Sequence, residues 1–139
     1  MLTFRGGGRG PCAALACVVA ALLVAGCGSA AEESARETAD RFVSALGSDD
    51  AEQACELLAP NTSSLLESMS SQECAQALSS LDLPHDPVTA VQAWGDGAQV
   101  RTAGDVLFLR ELQDGWRVVA AGCKPEGEGH PYDCDLEGS

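Results

Sequence analysis

Pro84-His85-Asp86-Pro87 splits the chain into two halves with different periods. Before it, apolar residues recur every three or four positions, as on one face of a helix; after it they alternate, as along strands. A proline inside a helix removes an amide donor and crowds the preceding turn, so the pair marks a boundary. Downstream, the alternation predicts strands at Val88–Trp94, Ala98–Thr102, Val106–Leu112 and Trp116–Ala121. Gly95-Asp96-Gly97, Gly104-Asp105 and Gln113-Asp114-Gly115 are the turns, where glycine supplies the positive φ of a tight hairpin. Such connections are too short for crossover helices, so the expected sheet is a four-stranded antiparallel meander. In the third strand Phe108, Arg110 and Leu112 share one face while Leu107 and Leu109 share the other. Both faces are partly apolar, so one can line a cavity or an interface.

Upstream, Ala35, Ala39, Phe42, Val43 and Leu46 fall on one face of a helix ending near Gly47-Ser48. Ala51, Ala54, Cys55 and Leu58 repeat at i, i+3, i+4, i+7 in a second helix that stops before Pro60. A single-turn piece, Ser64–Met69, follows, and Cys74, Ala77, Leu78 and Leu81 form the last helical face. Ser34 with Glu37, Asp49 with Glu52, Ser64 with Glu67, and Ser70 with Glu73 have the spacing of capping boxes, in which each end satisfies a free amide of the first turn. The fold class expected is α+β, with N-terminal helices packed on the meander.

The segment before this domain has the anatomy of an export signal. Arg5 and Arg9 precede an uncharged apolar run from Ala13 to Gly26, which ends at Val24-Ala25-Gly26-Cys27. That last stretch resembles the lipobox of bacterial lipoproteins, which implies cleavage before Cys27 and lipid on its sulfur. The run is shorter than the roughly 20 residues a spanning helix needs. Residues 1–26 are therefore expected to be signal peptide, 27–33 a lipidated cysteine and short linker, and 34–139 a single domain. The implied location is the extracytoplasmic face of the cell membrane, held there by the anchor.

Removing 1–26 from 139 residues leaves 113, enough for one modest core. Loss of Arg5 and Arg9 leaves six basic residues against 21 acidic ones, a charge of −15. This argues against nucleic acid as a partner, since phosphates are held chiefly by Lys and Arg. It argues equally against electrostatic adhesion to anionic headgroups, leaving attachment to the acyl chains.

Of seven cysteines, Cys12 and Cys17 lie in the signal and Cys27 is the lipid site. Cys55, Cys74, Cys123 and Cys134 remain, and an even set in an exported domain reads as two disulfides. Three pairings can be drawn. Cys55–Cys74 with Cys123–Cys134 is favoured because each joins neighbouring elements. The second bridge would tie a polar tail, Lys124 to Pro131, back to the end of the last strand.

Helices first, a meander afterwards, and Gly115-Trp116-Arg117-Val118-Val119 in the last strand resemble the NTF2-like α+β cone. More narrowly, the chain resembles small actinobacterial lipoproteins. The residues carrying the likeness are the lipobox, Phe42-Val43-Ser44-Ala45-Leu46, Ala54-Cys55-Glu56-Leu57-Leu58, Gly115–Cys123 and Pro131-Tyr132-Asp133-Cys134. It spans about Ser34 to Cys134, without the strand hairpin that often separates the early helices of such cones. A fold of this kind hosts unrelated functions.

Catalytic signals are sparse. NTF2-like enzymes work with carboxylates and tyrosines inside an apolar cone; here Tyr132 is the only tyrosine and lies beside an expected disulfide. Glu111 with Asp40 can do acid–base work if buried, although a solvated face is the commoner fate of such acids. Asp96, Asp105 and Asp114 sit in turns. His85 and His130 have no nucleophile at a telling spacing. Cys123, His130 and Cys134 lack zinc-knuckle spacing, and Asp133, Asp135 and Glu137 lack the rhythm of a calcium loop. No metal and no cofactor are therefore expected. Asn61-Thr62-Ser63 is read as turn chemistry rather than a glycosylation site. Trp94 and Trp116 fill a core or, with Phe42 and Phe108, wall a pocket for an apolar ligand.

The function expected is that of a membrane-anchored, non-catalytic domain that binds a small apolar ligand or an envelope protein through the concave sheet face. The alternatives are an NTF2-like isomerase- or hydrolase-type enzyme with a buried carboxylate, and a structural or assembly partner of an envelope complex.

Overall fold

In the computed structural model, which describes residues 12–129 and 131–138 and the side chains from Ala30 onward, four helices precede a five-stranded antiparallel sheet. The helices are α1 (Cys12–Gly47), α2 (Ala51–Glu56), α3 (Pro60–Ser70) and α4 (Cys74–Ser80). The strands are β1 (Val88–Trp94), β2 (Gly97–Thr102), β3 (Val106–Leu112), β4 (Gly115–Pro125) and β5 (Tyr132–Glu137), neighbours in sequence order. The sheet is open. The lipobox residues up to Cys27 fall in α1, and their side chains, like Arg5, Arg9 and His130, lie outside the described residues. Among the described residues no helix is long and apolar enough to cross a membrane.

The core forms where the two periods meet. Ala35, Ala39, Phe42 and Val43 are buried along one stripe of α1, and the alanines let the helix approach the sheet closely. Facing them, the alternate residues Ala98 and Val100 of β2, Leu107 and Leu109 of β3, and Trp116 and Val118 of β4 are all buried. Register aligns them: Ala93, Ala98, Leu109 and Val118 make one row across four strands. Both disulfides are present, Cys55–Cys74 joining α2 to α4 and Cys123–Cys134 joining β4 to β5.

Three expectations are corrected. The sheet has five strands, because Lys124 and Pro125 continue β4 and the tail returns as β5 with Leu136 only 3% exposed. In β5 Tyr132, Cys134 and Leu136 alternate with acids, and of these three Leu136 is the buried one. Next, Ser64–Met69 is not a single turn but part of an eleven-residue helix that starts at Pro60, where a missing amide costs nothing. Finally, the capping boxes do not cap. Ser34 lies inside α1, Ser64 lies inside α3, and Ser70 donates back to the Leu66 carbonyl at 2.8 Å. Asp49 takes a positive φ of 57°, and its neighbour Asp50 accepts from the Gln53 amide to cap α2. Glu67 is used differently, accepting from the Cys74 amide at the start of α4.

Candidate functional site

The entry to α3 is fixed by backbone pairing to the sheet. β5 covers β4 only from Ala120 onward, and the Leu57–Ala59 segment occupies the free edge before it. Val118 donates to Leu57 O and Ala59 donates to Val118 O, both at 2.9 Å. Beyond this clamp, buried Thr62 donates from Oγ1 to Val119 O at 3.4 Å. Gly138 donates to the same carbonyl at 2.7 Å. A Cβ on Gly138 would overlap Thr62, so the end of β5 and the start of α3 meet at a contact that only glycine allows.

From that contact α3 and β5 diverge and leave an open apolar groove of about 590 Å³. Leu66 and Leu136 form its buried floor, Leu65, Met69 and Leu81 its walls, and Cys134 closes one side. Leu65 is 43% and Met69 78% exposed, which places two large apolar side chains in solvent on one helix face. Asp135 and Glu137 stand on the rim. The volume is that of a small-molecule site, and the acidic rim favours neutral or cationic ligands over anionic ones.

The aromatic residues expected to wall a pocket are not brought together there. Phe42 and Trp116 are buried in the core, and Trp94 is 55% exposed at the end of β1. Phe108 meets the Tyr132 ring edge-on, with centroids 5.2 Å apart, on the sheet face away from the helices. Gln99 donates to the Tyr132 hydroxyl at 3.1 Å in the same place. None of the four lines the groove.

Among the acids, Glu111 and Asp40 are both exposed. Asp105 is the buried one. Its carboxylate accepts from the amides of Gly122 at 3.0 Å and Cys123 at 2.8 Å. Burial pushes its carboxyl above the ordinary range, against the pull of those amides, and nearby Asp135 adds to the rise. Both oxygens are engaged with backbone, and the residue lies outside the groove, which makes Asp105 a fastener of the β4 bulge. His85 packs its ring against Gly47. Cys123 and Cys134 are consumed by their disulfide.

The groove residues Leu65, Met69, Leu81 and Leu136 escape a reading by period, because the groove lies between α3, whose first turn is polar, and β5, whose acids resemble a solvated tail. A signal was present in the alternation of residues 132–137. Comparison of the chain with protein-family models, curated proteins and solved structures gives no match.

Proposed function

We propose that the chain is an exported lipoprotein, anchored through lipid on Cys27 at the extracytoplasmic face of the cell membrane. Its domain binds a small apolar ligand, without catalysis, in the groove between α3 and β5. The observation that carries this reading is the exposure of Leu65 and Met69 beside the buried Leu66 and Leu136 floor. Exposed apolar side chains gathered on a concave surface mark binding sites more often than chance exposure does. The NTF2-like cone is the matching fold proposal, supported by helices that precede an antiparallel meander.

Binding is tested with the neutral dye N-phenylnaphthylamine and detergent-extracted protein. Saturable emission that is lost in Leu65→Glu and Met69→Glu is the expected result; equal emission from both variants overturns the groove assignment. Anchoring is tested by mass. The expected species lacks residues 1–26 and carries acyl chains on Cys27, and retention of those residues overturns the lipoprotein reading.

A further inference from the structure

The sheet face turned away from the helices has a composition unlike the rest of the molecule. Register sets its residues in rows across the strands. One row runs through Trp94, Gly97, Arg110 and Arg117. The next contains Gln92, Gln99 and Phe108, and a third contains Ala90, Arg101 and Val106. None of the positions named is acidic, although the chain carries 21 acidic against 8 basic residues. Beyond β3 the second row continues through Ala120 to Glu137 on the far edge strand, away from Trp94 and Arg101.

Arg117 is paired with Asp114 at 2.7 Å. Arg101 and Arg110 are exposed and form no ion pair among the described residues. Unpaired guanidinium groups in so acidic a protein are a directional feature, because carboxylates could have been placed opposite them at almost any neighbouring position. Trp94 adds an apolar element. Its indole Nε1 stands 3.3 Å from where a Cβ on Gly97 would be, so the ring reaches over the glycine gap toward the strand that carries Arg110.

We propose that this face docks an acidic segment of a partner protein, with Trp94 as the apolar anchor and Arg101 and Arg110 as forks for its carboxylates. Trp and Arg are the residues that most often dominate protein–protein binding, and carboxylates are depleted at the centre of such interfaces. Arg holds a carboxylate through two parallel N–H donors, which gives geometry as well as charge. The net charge of −13 repels an acidic segment elsewhere on the surface and so restricts it to this one. The surface lies away from the α3–β5 groove and does not depend on it.

The test titrates a capped peptide rich in Glu and Asp, with a single leucine, into the detergent-extracted protein. Binding is followed by anisotropy of a dye on the peptide and by emission of the exposed Trp94. The expected result is saturable binding that weakens on the order of tenfold in Arg110→Gln and again in Trp94→Ala, in line with truncation of hot-spot side chains. Both side chains are exposed, and circular dichroism checks that the variants stay folded. Leu65→Gln in the groove leaves peptide binding unchanged. The proposal is overturned by absence of saturable binding at millimolar peptide, or by equal binding to an Arg101→Gln/Arg110→Gln variant. Preference for a uronate oligosaccharide of equal charge, or occupation of the face by a second copy of the chain, overturns it as well.

Discussion

Asp105 and Gly122 meet across the β3–β4 ladder, where the buried carboxylate accepts the glycine amide at 3.0 Å and so holds a backbone kink of φ 66° in place. The carboxyl titrates above its ordinary value of 3.8, because burial outweighs the amides that favour its charged form. A folded-state value above the unfolded one means that the native state binds more protons in that window. The contribution of Asp105 is therefore full below about 3.8 and declines as pH rises through the folded value. Urea unfolding of wild type and Asp105→Asn across this range should show the wild-type advantage shrinking as pH rises. A difference that grows with pH would reverse the sign assigned to the burial effect.

Gly122 itself has little room for a side chain. A Cβ there would stand 2.9 Å from the Asp135 Cβ and 3.0 Å from Leu83 Cδ2, at a positive φ. Gly122→Ala is expected to destabilise by on the order of 2 kcal/mol or more, from backbone strain and overlap together. Gly129, also at positive φ but with open space around it, should be much less sensitive to the same substitution. Thermal melts of the two variants make the comparison.

The Cys55–Cys74 bridge closes a sequence separation of 19 and fastens α2 to α4. Replacing both residues by serine should lower unfolding free energy by about 3 kcal/mol, chiefly by releasing the unfolded chain. Denaturant titration measures it. A loss under 1 kcal/mol, on the same loop-entropy scale, would mean that packing of Ala54 and Leu78 already holds the helices.

The two tryptophans should separate cleanly by quenching. Trp94 is 55% exposed and Trp116 is 5% exposed. Acrylamide is expected to quench one component readily, and Trp94→Phe should abolish that component and leave a blue-shifted, protected emission. Persistent accessible emission in the variant would place Trp116 at the surface.

The break at Pro84 to Pro87 is legible because two local rules agree there: the loss of helical period and the intolerance of a helix for proline. The tight turns and the inward cysteines of α2 and α4 are legible for the same reason. Caps are less so. Ser34 and Glu37 have the right spacing, yet α1 runs through them, since a serine inside a long helix costs only tenths of a kcal/mol. β5 is hidden by its acids: Asp133, Asp135 and Glu137 make a half-buried edge strand look like a solvated tail. The groove inherits that difficulty, because Leu136 acquires a role only once β5 is paired to β4. Leu65 and Met69 are equally opaque, since a stripe on a surface helix reads the same whether it faces a core or a ligand.

The loop between β4 and β5 is exposed from Glu126 to Gly129, an obvious place for a protease to cut. The Cys123–Cys134 bridge brackets it, so a single nick there would release no fragment. β5 would stay fastened as a second polypeptide, with Leu136 still seated and the groove intact. Such a two-chain form should run as one species on a non-reducing gel and separate only with thiol. A protease that reaches this loop would thus cleave the tail without removing it.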